Sequence, residues 1–326
     1  EEGEAMQIAI LLHDIGHGPF SHATEKALLP GVHHEEVSLI IIKMFNKEFD
    51  GALDLAIQIF TNTYSRKFMH QLVSGQVDVD RLDYLKRDSF YTGVTEGNIN
   101  TDRIVAMMNV DQEQLVFESK GVHSLEKFLL ARRLMYWQVY LHKTSLAAEL
   151  ILVKILYRFR ILTESGKESL TDSHVLFPFF NLNKASILEE SALETYLTLD
   201  DSDILALLKR WMKHEDIVLS RLSKQLINRD LPKVKLQSTP ISEEAINKKK
   251  DRLIHLNISD SISDNFVFSG SVSNQTFTSD QAQILLQEKS GKINSIAKSI
   301  NYLDFEQFSK PIHKYYLCYP KANSSL

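Results

Sequence analysis

Apolar residues recur at helical spacing through most of the first half of the chain. A glycine-rich turn at 16–19 predicts the end of the first helix. Residues 114–118 are predicted to form a short extended segment. The predicted helices cover 4–16, 21–28, 34–45, 53–60, 76–88 and 125–162, the last with a bend near Thr144.

The pattern changes after about residue 165, where two further helices are predicted at 199–211 and 215–227. Beyond Pro232, extended and helical segments alternate. Extended segments are predicted at 233–236, 265–268, 284–287 and 315–319, and helices at 243–252 and 292–300. We therefore predict a mainly α protein with a helical core at 1–165, a helical extension at 166–231 and a smaller C-terminal α+β region at 232–326.

Composition narrows the possible partners. Of 326 residues, 44% are hydrophobic and 24% charged, which is typical of a globular protein with a sizeable core. The net charge of −5 disfavours a stable DNA complex held through phosphates. The most apolar stretch, 146–162, contains four charged residues, so no membrane partner is expected. The single cysteine, Cys318, fits a reducing cytoplasmic compartment.

Histidine is concentrated near the N-terminus. The chain has 12 histidines, and three of them lie in the ten-residue segment HDIGHGPFSH at 13–22. Imidazole is the commonest metal ligand and the usual proton-transfer group near neutral pH. His13 and Asp14 close a predicted helix, and both side chains can reach one ion beyond its end. This segment is therefore predicted to carry a metal site or acid–base chemistry.

Three motifs in order resemble a known family. HDIGHGPFSH is followed by the His-Glu-x-x-Ser motif at 34–38 and by DVDRLDYLKRD at 78–88. Together they resemble the HD-domain metal-dependent phosphohydrolases, in the form found in the branch that hydrolyses deoxynucleoside triphosphates. The resemblance covers roughly residues 5–145 and implies a helical HD-domain core.

The resemblance implies one metal ion. His13 and Asp14 match the central ligand pair, and Asp80 matches the distant carboxylate. The family's first histidine ligand belongs on a helix upstream of residue 5, and residues 1–12 contain no histidine. We expect that ligand to lie in a preceding segment of a longer protein. A mixed histidine and carboxylate set suits Mn, Fe, Ni, Zn or Mg, so the ion stays open.

Other motif residues match the family's substrate contacts. By resemblance, Arg81, Tyr84 and Arg132 hold phosphates, Asp88 contacts the sugar 3′-hydroxyl, and Tyr140 lines the sugar or base. Spacing adds a separate argument: Arg132 and Tyr140 lie eight residues apart on one predicted helix, in a polar stripe with Tyr136. In the alternative, Arg132 forms a structural salt bridge and the two tyrosines are core residues.

The resemblance places His17, His22 and His34 around the phosphates rather than on the metal. His22 is the best candidate for general acid, and His34 and Glu25 are expected to support and orient it. An imidazole held by a carboxylate is a suitable proton donor to a leaving oxygen.

The expected function is metal-dependent hydrolysis of a deoxynucleoside triphosphate to nucleoside and triphosphate. One alternative keeps the metal site but acts on another nucleotide or phosphate ester, including a phosphodiester. A third is a nucleotide-binding regulator without turnover. The resemblance also implies a homo-oligomer, either a dimer or a tetramer.

Overall fold

The structure is a computed structural model that describes residues 1–29, 31–167, 175–176, 179, 189–256, 258–274, 284–299 and 310–321. It is mainly helical, as the sequence predicts. The helices are α1 (Glu2–Leu12), α2 (His22–Leu28), α3 (His34–Glu48), α4 (Asp54–Phe60), α5 (Lys67–Ser74), α6 (Val79–Thr92), α7 (Thr101–Ala106), α8 (Val122–Met135), α9 (Lys143–Glu164), α10 (Glu190–Leu197), α11 (Asp201–Trp211), α12 (Ile217–Ile227) and α13 (Glu243–Lys250).

Short strands accompany the helices and form two small sheets. They are β1 (Met108–Asp111), β2 (Gln114–Glu118), β3 (Lys233–Gln237), β4 (Phe268–Asn274), β5 (Leu285–Gln287), β6 (Ile293–Ser295) and β7 (Ile312–Tyr319). The chain divides into two compact units. The first contains Glu1–His13, Phe45–His142 and Ser273–His313, and the second contains Asp14–Met44, Lys143–Val272 and Lys314–Leu326.

The first unit has two apolar clusters. In one, α1 packs against α4 and α5 through small and medium side chains that include Ala9, Ile59 and Val73. The other lies between α6, α8 and the sheet, where Leu85 and Phe128 are completely buried. The sheet has the order β1-β2-β5-β6, with β2 and β5 parallel and the other pairs antiparallel.

Helix α6 begins at a carboxylate cap. Asp78 is almost fully buried and accepts a 2.8 Å hydrogen bond from the backbone N–H of Arg81. Such a cap satisfies an N–H group that the helix itself leaves unpaired. The cap fixes the helical register, so Asp80 lies in the first turn and Tyr84 and Asp88 follow at four-residue intervals.

The long helix predicted at 125–162 is interrupted. Helix α8 ends at Met135, a π-helical turn covers Tyr136–Tyr140, and α9 begins at Lys143. The interruption therefore lies a few residues before the bend predicted near Thr144. Single π-helical turns within α-helices are frequent at functional sites.

The second unit is organised around α9, which packs against α2, α12 and β3. Its inward face includes Ile151 and Ile155, each almost inaccessible to solvent. Strands β3, β7 and β4 form a sheet in that order, and β7 pairs antiparallel with β3 so that Cys318 lies opposite Val234. Cys318 is buried in this sheet, as expected for a core residue.

Several predicted elements are wrong. Residues 293–298 form strand β6 and a short 3₁₀ turn rather than a helix, because β6 pairs with β5 and the Ile296 N–H donates to the Ile284 carbonyl at 2.8 Å. The extended segment predicted at 114–118 is confirmed as β2, and its hairpin partner β1 was not predicted. Helix α5 was not predicted, and 260–265 is 3₁₀-helical.

Ile300 and most of 168–188 lie outside the described residues. The three-region division of the chain therefore stays a prediction. Among the helices of the described residues, none is both long and apolar enough to span a lipid bilayer.

Candidate functional site

His13 and Asp80 meet in the first unit. His13 follows α1, where its Nδ1–H donates a 2.7 Å hydrogen bond to the Ile10 carbonyl. That bond orients the ring and assigns the proton to Nδ1, so Nε2 carries the lone pair. Nε2 lies 3.9 Å from Asp80 Oδ2. Two ligands of a divalent ion at about 2.1 Å each are separated by up to about 4.2 Å, so this pair can share one ion.

Asp14 opens the second unit, next to His13 in the chain, and its side chain is about half exposed. Its Oδ1 lies 3.9 Å from Nε2 of His34, which begins α3. His34 also belongs to a cluster of three imidazoles with His17 and His22. His17 stacks on His34 with ring centroids 3.9 Å apart and meets the edge of His22 at 4.9 Å.

Glu25 holds two of these imidazoles. Its Oε2 accepts hydrogen bonds from Nδ1 of His34 at 3.2 Å and Nδ1 of His22 at 3.3 Å. Burial opposes ionisation of Glu25, but the two imidazole bonds outweigh it and lower the pKa of the carboxyl group. The carboxylate thus fixes the tautomer of both rings and leaves Nε2 of each as the chemically available nitrogen.

His17 differs from its neighbours. Burial and the nearby His34 lower its pKa, so the ring is neutral at pH 7. Among the described residues, its buried Nδ1 has no hydrogen-bond partner. The position of the ring therefore depends on stacking and on the backbone of the glycine-rich turn.

One ligand atom from each of His17, His22, Glu25 and His34 lies within 4.8 Å of the others. Such a cluster is also compatible with a metal ion. The rings of His17 and His34 stack nearly parallel, inclined by 17°, and Glu25 engages Nδ1 of both His22 and His34. The cluster is therefore also compatible with proton transfer or anion binding.

A second polar group of the first unit combines α6 with the end of α8. Tyr140, in the π-helical turn, donates a 2.7 Å hydrogen bond to Asp88 Oδ2, and its ring meets the edge of Tyr84 at 5.9 Å. Arg132 hydrogen-bonds to Tyr84, and burial lowers the pKa of its guanidinium group. A partly desolvated guanidinium beside hydroxyl groups favours an anionic ligand.

Arg81 is held by its own helix cap. Its guanidinium forms an ion pair with Asp78, and Nη1 donates a 2.6 Å hydrogen bond to the Gly75 carbonyl. A guanidinium has five N–H donors, so these contacts are compatible with a further bond to phosphate. The predicted role of Arg81 in phosphate binding stays a prediction.

An apolar cavity opens beside His22 in the second unit. Its volume is about 450 Å³, and its walls include Leu152, Leu208 and Leu226. Phe20, which lies at the cavity, is held by a 2.8 Å hydrogen bond from its backbone N–H to Asp201. The volume falls in the range of small-molecule sites.

The sequence missed three residues that shape these groups. Asp78 caps α6, Ser38 accepts a 2.9 Å hydrogen bond from the Gly16 N–H, and Tyr196 donates one to the Gly16 carbonyl at 3.1 Å. Asp78 and Ser38 belong to the quoted motifs DVDRLDYLKRD and His-Glu-x-x-Ser, which could have signalled them. Tyr196 is 180 residues from Gly16, and no local pattern points to it.

The HD domain family model matches residues 1–88, and the model of the HD associated region matches residues 99–172. A crystal structure of a phosphohydrolase from Bacteroides thetaiotaomicron is 48% identical, with 98% of this chain and 80% of that chain covered and a TM-score of 0.90. A hypothetical protein from Aquifex aeolicus shares the fold at 22% identity over 98% of this chain and 78% of that one, with a TM-score of 0.67.

Two curated relatives add information on sequence. The uncharacterized protein YwfO of Bacillus subtilis is 37% identical over 237 residues, 71% of this chain and 53% of that protein. The Dictyostelium discoideum protein named deoxynucleoside triphosphate triphosphohydrolase SAMHD1 homolog is 33% identical over 171 residues, 46% of this chain and 32% of that protein. The chain thus spans about half or less of the length of these two relatives.

Proposed function

Because the chain belongs to the family of HD-domain phosphohydrolases, we propose that it hydrolyses deoxynucleoside triphosphates to nucleoside and triphosphate with one divalent metal ion. The observation that carries this proposal is the cluster of three imidazoles around Glu25, directly after the His13-Asp14 pair. Such a cluster offers N–H donors and a proton source to a phosphate ester. The name of the Dictyostelium relative supports the choice of substrate.

The metal would be held by His13, Asp14 and Asp80. The 3.9 Å separation between His13 Nε2 and Asp80 Oδ2 supports two of these ligands, and Asp14 is the next residue after His13. A divalent ion of this kind supplies Lewis-acid polarisation of a phosphoryl oxygen and lowers the pKa of a water molecule. The donor set is compatible with Mn, Fe, Ni, Zn or Mg.

The imidazole cluster would supply the proton for the leaving group. In the reaction a water oxygen bonds to the α-phosphorus and releases a proton to solvent, the bond from that phosphorus to the 5′-oxygen breaks, and the 5′-oxygen takes up a proton. We assign that proton to Nε2 of His22, because Glu25 holds its Nδ1. His34 shares the same carboxylate oxygen and orients the pair. His17, neutral at pH 7, would contribute a hydrogen bond to a phosphate oxygen.

Substrate recognition would involve the polar group of the first unit. Arg132 and Arg81 would bind phosphate oxygens with Tyr84, whose hydroxyl keeps its proton because burial raises its pKa. Asp88 would accept the 3′-hydroxyl of the sugar, oriented for this role by Tyr140. The partly buried Asp88 carboxylate already accepts a hydrogen bond from Tyr140. A substrate without a 3′-hydroxyl would leave its other oxygen unpaired, so such substrates would be disfavoured.

The cavity beside His22 favours a second candidate. Its leucine-rich walls would accept an apolar group, and His22 lies at the same cavity. A phosphate ester with an apolar alcohol could therefore be hydrolysed at the imidazole cluster in place of a nucleotide. Release of inorganic phosphate or of a monoester from such a compound would favour this candidate.

The test measures product release from each of the four deoxynucleoside triphosphates and from aryl phosphate esters. The protein is stripped of metal and then supplied with Mn, Mg, Fe, Ni or Zn in turn. We expect triphosphate release with the wild type, no release with Asp14→Ala, and a loss of about 10²–10⁴-fold in kcat with His22→Asn. The exposed His313→Asn serves as the matched histidine control.

The other outcomes are distinct. Release of inorganic phosphate alone would contradict cleavage between the α-phosphorus and the 5′-oxygen. It would still support a metal-dependent hydrolase. Nucleotide binding without turnover under any metal would contradict an enzyme and favour a nucleotide-binding regulator. Activity retained in Asp14→Ala would exclude the proposed metal site.

A further inference from the structure

Tyr196 contacts the turn that carries His17. The residue lies on α10, is 4% exposed, and its hydroxyl donates a 3.1 Å hydrogen bond to the Gly16 carbonyl. Burial raises the pKa of Tyr196 above its ordinary value, so the hydroxyl keeps the proton that it donates. The ring also packs edge-to-face against Phe179, with centroids 5.8 Å apart.

The same tyrosine lies against Gly18. A Cβ atom at residue 18 would be only 2.8 Å from Tyr196 Cζ and closer still to its hydroxyl oxygen. Real Cβ atoms do not approach non-bonded atoms this closely, so the backbone at residue 18 lies as near the ring as only glycine permits. Tyr196 therefore touches the residues on both sides of His17.

Ser38 holds the turn from another side. Its Oγ accepts a 2.9 Å hydrogen bond from the Gly16 N–H, and a Cβ atom at residue 16 would lie 2.5 Å from the Ser38 backbone nitrogen. The peptide groups of the turn are thus clamped between α3 and α10. Helix α3 also carries His34, the ring on which His17 stacks.

The clamp matters because the His17 ring has little else to fix it. Within the part of the chain that the structure describes, Nδ1 of His17 is buried and has no hydrogen-bond partner. The ring is placed by stacking on His34, by the edge of His22 and by its own backbone. A small rotation of the 16–18 backbone would therefore move the imidazole within the cluster, and a displacement of about 1 Å can cost about 10²-fold in rate.

We propose that Tyr196 is a positioning residue that fixes the 16–18 backbone and thereby places the His17 imidazole for work on a phosphate. The role rests on the proposed function. Tyr196 lies beyond the segments matched by the HD domain and HD associated region models, which end at residues 88 and 172. It would therefore be a contribution of the helical segment that follows those regions.

The test compares Tyr196→Phe with Tyr157→Phe in the full-length protein. Tyr157 is a matched control, because its hydroxyl also donates to a backbone carbonyl, that of Lys26, at 2.9 Å. For Tyr196→Phe we expect kcat to fall about 10–100-fold with KM changed less than about threefold. For Tyr157→Phe both parameters should stay at the wild-type values. Equal kcat values for Tyr196→Phe and the wild type would overturn the proposal.

A second readout does not depend on turnover. The imidazole ¹⁵N–¹H spectrum of the metal-free protein, with the His17 signal assigned through His17→Gln, reports the state of that ring directly. We expect the His17 signal to shift or broaden in Tyr196→Phe and to stay unchanged in Tyr157→Phe. An unchanged His17 signal would overturn the proposal even if kcat fell. If the His17 signal shifts in Tyr196→Phe but the wild type has no hydrolase activity, the positioning of His17 by Tyr196 is supported and only the proposed function is contradicted.

The contact with Gly18 provides a second variant pair if Tyr196→Phe does not fold. Gly18→Ala should disturb His17 in the same way, because the new methyl group meets the tyrosine ring. Tyr196→Leu removes the ring atoms that this methyl would meet. The loss of kcat in the double variant, expressed as a free energy, should therefore be smaller than the sum for Gly18→Ala and Tyr196→Leu. Strict additivity would show that the two residues act independently.

Discussion

Tyr140 and Asp88, 52 residues apart in the chain, are joined by a 2.7 Å hydrogen bond from the tyrosine hydroxyl to carboxylate Oδ2. The bond connects the π-helical turn after α8 with the third turn of α6. Removal of a partner from a bond to a charged group costs about 1.5–3 kcal/mol. The hydrogen bond therefore orients the Asp88 carboxylate through Oδ2, and we propose the other oxygen as the acceptor of the substrate hydroxyl.

Tyr140→Phe should raise KM for deoxynucleoside triphosphates about tenfold, because Asp88 loses the donor that orients it. Metal affinity should not change, since neither residue is a proposed ligand. Steady-state kinetics with the four substrates measures the effect. Tyr91→Phe is the control, because Tyr91 is 80% exposed near the end of the same helix. An unchanged KM in Tyr140→Phe would remove Asp88 from the sugar site.

Asp80→Asn should weaken binding of Mn²⁺ about 100-fold, because it removes the charge of a proposed ligand. Changes to outer-shell groups alone cost about 10–100-fold. Titration calorimetry on the metal-free protein gives the dissociation constant without reference to catalysis. Asp83→Asn is the matched control from the same helix, since Asp83 is exposed and paired with Arg87. Equal affinities of the two variants would exclude Asp80 as a ligand.

Gly16→Ala should destabilise the protein by about 3 kcal/mol, at the upper end of overpacking costs. The added Cβ would collide with backbone atoms of His34 and Ser38, which cannot move as a flexible side chain does. Gly3→Ala is the opposite case, because a Cβ atom at that position in α1 would have nothing within 4 Å. This variant should have a free energy of unfolding about 0.5–1 kcal/mol higher than the wild type. Urea unfolding measures both. A neutral Gly16→Ala would show that the turn is not clamped.

The mainly helical class could be predicted from the sequence because helical periodicity is a local pattern. The spacing of Asp80, Tyr84 and Asp88 placed them on one helix, and the Asp78 cap holds that register. The grouping of His17, His22 and His34 followed from the family resemblance. The structure adds a shared partner: Glu25, which the resemblance assigns to the support of His22, hydrogen-bonds to both His22 and His34.

The misses arise from partners that are distant in the chain. Residues 293–298 have a helical pattern, but pairing of β6 with β5 determines their conformation. The hairpin of β1 and β2 turns at Gln112 and Glu113, both with positive φ, in residue types that do not signal such a turn. Tyr196 hydrogen-bonds to Gly16 and packs against Gly18 from helix α10. Nothing in the HDIGHGPFSH motif predicts a contact with that helix.

Asp216→Asn should lower the free energy of unfolding by about 1.5–3 kcal/mol at pH 7, because it removes the charge that Arg158 binds. Asp216 caps α12 and accepts a 3.0 Å hydrogen bond from Arg158 Nε, with a second bond from Nη2. Asparagine caps helices as well as aspartate does. The substitution therefore isolates the ion pair, and Asp200→Asn at the cap of α11, whose carboxylate accepts only from backbone N–H groups among its described contacts, is the control.

The effect of Asp216→Asn should depend on pH in a defined direction. Burial opposes ionisation of Asp216, yet the bonds from Arg158 and the Leu219 N–H lower its pKa below the ordinary value of 3.8. A carboxyl group with a lowered pKa binds fewer protons in the folded state, so its stabilisation is complete above about pH 4 and is lost as the pH falls through the folded-state pKa. Urea unfolding from pH 7 to pH 3 should show a constant difference between wild type and variant that narrows only below about pH 4. A difference that grows as the pH falls from 7 to 5 would instead show that a protonated histidine contributes to the stabilisation.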